Sequence, residues 1–190
     1  MSCFPFQWKE AASSENGNLV VNRMEIVLAN EWDIVGWMNL VNEVKESFPG
    51  LETKEALEEH RKTVLDFISR DSAICAKSKG RIVGALLFSK ENQMLCFLTV
   101  DTEYRRQHIA EKMVTYMLAW MDPQKDVVVT TYREGVPEGI AARAFYKRMG
   151  FVEGRLTEEF GSPVQEFVLV RPDPEHRSFG ARDSLFRTEA

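Results

Sequence analysis

The sequence predicts an α/β domain built on a central mixed, mostly antiparallel sheet with helices on both faces. Strand-like and helix-like runs follow one another in the order strand, two helices, three strands, helix, strand, helix, two strands. The three central strands are separated by short polar segments, Ser78-Lys79-Gly80 and Lys90-Glu91-Asn92, which read as hairpin turns and give an antiparallel meander. Val127 to Thr131 is a β-branched run reached from Met94 to Val100 through a helix, the connection that sets two strands parallel.

Each element has its own justification. Met24 to Leu28 reads as the first strand. Trp32 to Phe48 reads as a helix whose Ile34, Met38, Val41, Val44 and Phe48 share a face. Pro49 disfavours helical torsions at Phe48, and Gly50 follows, so the helix stops there. Thr53 to Ser69 is a second helix with Leu57, Val64, Leu65 and Ile68 inward, and the meander strands are Ala73 to Lys77, Ile82 to Ser89 and Met94 to Val100. Next, Ile109, Met113, Val114, Met117, Leu118 and Met121 recur at helical spacing on one apolar face, ending before Asp122-Pro123. After Val127 to Thr131 a helix from Ile140 to Met149 is stopped by Gly150, since glycine takes the left-handed conformation that ends helices. Phe151 to Glu158 and Val164 to Val170 close the domain as a strand pair across Gly161-Ser162-Pro163. The expected organisation is an extension over residues 1–23, the domain over 24–171, and a surface tail over 172–190.

Bulk properties narrow the function. At 190 residues the chain has the length of one domain. A net charge of -5 argues against a general nucleic-acid binder and leaves cationic amine substrates open. Cys3, Cys75 and Cys96 are odd in number and lack C-x-x-C spacing, which fits a reduced intracellular compartment. Cys75 and Cys96 lie in apolar runs and read as small buried hydrophobes. There is no zinc pattern, His60 and His176 lack a metal partner at useful spacing, and no metal is expected. Phe4, Phe6 and Trp8 are followed by the polar run 13–18 before any signal-peptide core forms, and no stretch is long and apolar enough to cross a bilayer. The expectation is a cytoplasmic protein with neither membrane nor nucleic acid as partner; a homodimer is left open.

The most informative stretch runs from Leu98 to Ala110. A strand breaks there into a polar, cationic turn and at once opens a helix whose amino end points back into the turn. The first N–H groups of a helix have no intrahelical partner, and the peptide dipoles add partial positive charge, so strand, basic turn and helix form an anion cradle.

Read as Arg105-x-x-His108-x-Ala110, this segment resembles the (Gln/Arg)-x-x-Gly-x-(Gly/Ala) signature of the GNAT superfamily of acyltransferases. Gly139 to Phe151 is similar to that family's later Asn-x-x-Ala-x-x-x-Tyr-x-x-x-Gly-Phe pattern, with Ala142, Tyr146, Gly150 and Phe151 matching. Two positions depart: His108 stands for glycine and Gly139 for asparagine. A residue entering a helix can take right-handed torsions, so His108 reads as a tolerated substitute whose ring can add a donor to phosphate. The order of elements is the one the GNAT fold requires, over about Met24 to Arg171.

The resemblance implies acetyl-CoA as cosubstrate and an amine acceptor, small molecule or peptide. It implies a parallel strand pair, Met94 to Val100 and Val127 to Thr131, that splays at the cofactor site. Leu98, Thr99 and Val100 would pair with the pantetheine arm, and a backbone N–H near Leu98 or Thr99 would polarise the thioester carbonyl. Arg105, Arg106, Gln107, His108, Ile109 and Ala110 would meet the pyrophosphate, with Gly139, Ala142 and Tyr146 also at the cofactor. Tyr146 is the candidate general acid, because a phenol of pKa about 10 is protonated at neutral pH; packing on its helix is the alternative role. The strand Met94 to Val100 carries no carboxylate, so Glu134 and Glu138 in the loop before the Tyr146 helix are the base candidates, though they also read as solvated loop charges. Lys147 and Arg148 would help with phosphate or be solvated. Trp32, Trp37, Phe48 and Leu51 would form an acceptor-side wall or simply core. The activity implied is N-acetyl transfer by direct attack in a ternary complex. The rival readings are a noncatalytic CoA-binding or sensor protein and a protein-interaction domain.

Overall fold

The computed structural model describes residues 24–48, 50–159 and 161–171. Strands β1 (Met24–Leu28), β2 (Ala73–Ser78), β3 (Arg81–Ser89), β4 (Met94–Val100), β5 (Val127–Tyr132), β6 (Val152–Glu159) and β7 (Ser162–Leu169) form one sheet. Its order is β1-β2-β3-β4-β5-β7-β6. All pairings are antiparallel except β4 with β5, so the mixed, mostly antiparallel α/β sheet with one parallel pair is the architecture the sequence predicted. The expectations for residues 1–23 and 172–190 lie outside the described residues, as do Cys3 and His176.

Two hydrophobic clusters sit on opposite faces because successive strand residues point to opposite sides. Ala73 and Cys75 pack on one side with Trp37, Leu40 and Val41 of α1 (Ile34–Val44) and Val64 and Ile68 of α2 (Lys54–Ser69). Ile74 and Ala76 pack on the other with Ile109, Met113, Val114 and Met117 of α3 (Ile109–Leu118) and with Tyr146 of α4 (Ile140–Arg148). Each fully buried Val, Leu, Ile or Met among them contributes roughly 1.5–3 kcal/mol. Gly84 of β3 sets how close α3 comes: a Cβ there would lie 2.8 Å from the Met113 sulfur.

The long first helix divides. The Asn30 side chain accepts from Trp32 N and the Asp33 side chain from Asn30 N, both at 3.0 Å, which caps a 3-10 turn over Glu31–Asp33 before α1 begins. Another 3-10 turn, Lys45–Ser47, follows it. Of the proposed wall residues, Trp37 (0% exposed) and Leu51 are core, whereas Trp32 is 93% exposed. Phe48 lies 4.7 Å from Phe97, ring centre to ring centre. In the first hairpin, Lys79 and Gly80 both have positive φ, the turn whose twist suits antiparallel strands.

Candidate functional site

The sheet opens between its two parallel strands. β4 and β5 pair only at Met94↔Val128 and Leu95↔Val129. Beyond these, β4 continues against β3 and β5 against β7, leaving a wedge between them edged by backbone groups. A bulge explains where it starts. Leu87 pairs with Phe97 and Phe88 with Leu95, so Cys96 is an extra residue with nothing opposite it. A bulge bends its strand and increases its twist, turning β4 away from β5 at the point where their ladder ends. This corrects the expectation for the cysteines: Cys75 is buried, but Cys96 is exposed because the bulge takes it out of the alternation.

The far end of β4 is pinned. Asp101 is buried; one carboxylate oxygen accepts from Glu103 N at 2.9 Å and the other from the Arg81 guanidinium at 2.8 Å. Its own N–H donates to Val83 O at 2.9 Å. A 3-10 turn, Thr102–Tyr104, leads to Arg105, whose Nε donates back to Val100 O at 3.3 Å. Arg105, Arg106, Gln107 and His108 are all exposed, Leu98 and Val100 half-buried, and Thr99 buried. The helix start at Ile109–Ala110 thus follows the open strand through this turn, and the amides of its first turn lack helical acceptors.

His108 departs from the sequence reading. Its backbone is left-handed, φ 58 and ψ 19, and Arg106 is likewise at φ 61. The conformation is the one glycine adopts freely, so histidine here carries strain that right-handed torsions would have avoided. Its Nδ1 lies 2.8 Å from Glu111 Oε2, so that nitrogen is engaged by the helix's own carboxylate.

The second motif is positioned by contact. Gly139 packs so tightly that a Cβ would fall 2.6 Å from Tyr132 Cβ, which explains the absence of asparagine at this position. Ala142 is half-buried against the core. Tyr146 is buried among Phe145, Phe151 and Phe167, at ring-centre distances of 5.4, 5.6 and 5.9 Å. Burial pushes its phenol well above the ordinary range, so it holds its proton. Gly150, at φ 89, ends the helix.

Buried Arg143 locks α4 to the sheet, donating to Tyr132 O at 3.1 Å, Gln165 Oε1 at 2.7 Å and Glu153 Oε1 at 2.6 Å. Lys147 pairs with Glu153 at 2.7 Å and Arg148 stacks over Phe145, so both cations have partners within the protein. Glu134 and Glu138 are exposed on the loop after β5. The Tyr132 phenol is raised by burial, with the charges of Glu138 and Glu52 adding to it. One group the sequence did not single out stands at the wedge: Thr130 Oγ1 donates to Glu159 Oε2 at 2.9 Å. No spacing links two residues so far apart in the chain.

His60 packs 5.0 Å from Phe97, and burial lowers its pKa. Among the described residues no group of three or more His, Cys, Asp or Glu is arranged to hold a metal ion, and no helix is long and apolar enough to cross a membrane.

A strand parting from its parallel neighbour and running through a cationic turn into a helix start belongs to the acyltransferase class that the two motifs resemble. Residues 34–151, more than half of the chain, match the acetyltransferase (GNAT) family, and the chain belongs to that family. No curated protein matches it. Among solved structures, a GNAT-family acetyltransferase from Bacillus cereus ATCC 10987 is similar with TM-score 0.62 and 16% identity, over 79% of this chain and 99% of that one. Ard1 from Thermoplasma volcanium is similar with TM-score 0.61 and 17% identity, over 79% and 99% respectively. PaiA N-acetyltransferase from Thermoplasma acidophilum, in complex with coenzyme A, is similar with TM-score 0.57 and 15% identity, over 76% and 98%. These likenesses establish the fold.

Proposed function

We propose that this protein is an N-acetyltransferase that moves an acetyl group from acetyl-CoA to a primary amine by direct attack in a ternary complex. The observation that carries the reading is the parting of β4 from β5 after Leu95 and Val129, with the open end of β4 leading through the segment 101–108 to the helix start at Ile109. The free edge of β4 over Leu98–Val100 suits an amide-bearing chain that pairs as an added strand would. The amides at Ile109 and Ala110, with Arg105, Arg106 and Gln107 beside them, suit a pyrophosphate. Acetyl-CoA, when bound, supplies an activated acyl group as a thioester.

The chain's own residues do the rest. A backbone N–H near Leu98 or Thr99 steadies the negative charge that grows on the acyl oxygen. The buried, protonated hydroxyl of Tyr146 supplies the proton the departing sulfur needs. Calorimetry with acetyl-CoA, followed by thiol-release assays with polyamines, small metabolite amines and peptides with free amino termini, tests the reading. Binding and amine-dependent thiol release are expected. No binding at millimolar acetyl-CoA overturns it, and tight binding without thiol release for any amine marks a noncatalytic CoA-binding or sensor protein.

A further inference from the structure

We propose that Glu159 is the carboxylate that binds the acceptor as an ammonium at the mouth of the wedge and takes its proton before attack. This rests on the acyl-transfer reading above.

Three observations carry it. First comes position. The parallel ladder ends at Leu95↔Val129, and Thr130, the next residue of β5, donates its hydroxyl to Glu159 Oε2 at 2.9 Å. Val129 faces the α3 and α4 side with Phe167, so Thr130 and the carboxylate it holds lie on the other side of the sheet. Across the opening stands Cys96 of β4. Its thiol is raised chiefly by desolvation, the Glu159 charge raising it further and Arg70 at the end of α2 opposing this. Thr130 and Cys96 are the first residues past the paired ladder on the two strands that bound the wedge.

Second is the path of the chain. Glu159 pairs with Ser162, whereas Thr130 pairs with Glu166, so in a flat sheet the two side chains would be well apart. The register of β6 shifts between Glu153 and Leu156, a bulge that lets the β6–β7 hairpin curl and bring its end over Thr130.

Third is charge. Glu166 is neutralised by two bonds from Arg155, at 2.8 and 2.9 Å, and Glu153 by Arg143 and Lys147. Glu159 is held by a neutral hydroxyl instead, which fixes it without cancelling its charge. β4, meanwhile, has no carboxylate of its own.

The proton balance closes. The bound ammonium gives one proton to Glu159, which passes it to water, and the freed lone pair attacks the acyl carbon. The nitrogen–carbon bond forms, and the carbon–sulfur bond breaks with its electron pair on sulfur. Sulfur takes the Tyr146 proton, and the second nitrogen proton, passed through water as the adduct collapses, restores that phenol, so one proton in all is released to water.

Glu159→Gln keeps the length and the Thr130 contact but removes the charge. With the amine that gives the greatest thiol release in the panel above, kcat/KM is expected to fall about 10²-fold while calorimetric affinity for CoA stays unchanged. Thr130→Val, which leaves the charge and removes only its anchor, is expected to give a smaller loss of the same kind. A readout independent of turnover is alkylation of Cys96 by iodoacetamide in a Cys3→Ser background at about pH 8, near the ordinary thiol range. It should quicken in Glu159→Gln because the repelling charge is gone. Unchanged kcat/KM in Glu159→Gln overturns the assignment, as does an unchanged alkylation rate, which would put the carboxylate elsewhere. If the unsubstituted protein neither binds CoA nor releases thiol, the acyl-transfer reading itself fails and this inference falls with it.

Discussion

His108 and Glu111 meet at the first turn of α3, Nδ1 to Oε2 at 2.8 Å, while the His108 backbone stands in the left-handed region at φ 58. Two opposing terms are built into one residue. The left-handed backbone costs about 1 kcal/mol in a non-glycine residue. The exposed pair returns roughly 0.2–1 kcal/mol.

Restoring the residue usual in the family separates them. His108→Gly removes the strain and the pair together, so the melting temperature should stay level or rise slightly, and CoA affinity should be equal or better. Thermal denaturation and calorimetry with CoA check this. A loss of affinity beyond tenfold, about 1.4 kcal/mol, would show that the ring contributes to the anion cradle.

The other departure should behave in the opposite way. Gly139→Asn also restores a family residue, but its Cβ would lie 2.6 Å from Tyr132 Cβ, an atom fixed by β5 that cannot swing aside. Overpacking of this kind costs typically 1–3 kcal/mol. Urea unfolding should show a lower midpoint with little change in slope. An unaltered midpoint would mean that α4 can lift from β5 without penalty.

Arg143 makes a third test, because it ties α4 to β5, β6 and β7 at once. Arg143→Met keeps much of the packing over Phe167 but leaves the Tyr132 carbonyl and Gln165 without their donor. Removing one partner of a buried pair costs about 3–5 kcal/mol. Here Glu153 is partly exposed and retains Lys147, so the loss should fall near or below the lower end of that range. Denaturant titration measures it, and Glu153→Gln should cost less than Arg143→Met.

Stability should also fall in alkali. Cys75 is pushed up to about 12, by burial first and then by the neighbouring Asp33 charge, and burial raises Tyr146. Below the unfolded values, about 8.5 for a thiol and 10 for a phenol, both groups are protonated in both states and stability is full. Above them the unfolded chain releases its protons first, so stability declines as pH rises toward the folded values. Urea midpoints should therefore drop between about pH 8 and 11, with Cys75→Ala flattening the lower part of that slope.

Among the described residues, sequence periodicity located the strands and α-helices because local pattern decides them, but not the 3-10 turns, such as those that flank α1. The succession of strand, turn and helix from Val100 through Arg105 to Ile109 was legible too, since it lies in one unbroken stretch of sequence. The rest depends on pairing between distant segments. Cys96 sits in a regular apolar run, and only the register of β3 against β4 makes it a bulge. Gly139 read as a missing asparagine, whereas its reason is the Tyr132 side chain on another element. The Thr130 to Glu159 contact needs a curled hairpin, which no spacing in the sequence announces. The left-handed His108 was misread because histidine rarely occupies a glycine conformation.

Tyr146→Phe is the sharpest test of the chemistry, because it removes one hydroxyl and keeps the ring packed against Phe145, Phe151 and Phe167. Stability and CoA affinity should hardly change. If the hydroxyl protonates the leaving sulfur, turnover with a working amine should drop ~10²-fold or more at constant CoA affinity, the pattern of an interaction made only in the transition state. Because burial keeps the phenol protonated far above neutrality, the wild-type rate should show no loss of this acid at any pH up to about 10, the ordinary phenol value. Solvent can replace part of the proton supply, so the measurement must be made where chemistry rather than product release limits the rate. Unchanged turnover under that condition would make Tyr146 a packing residue and leave the sulfur to be protonated by water.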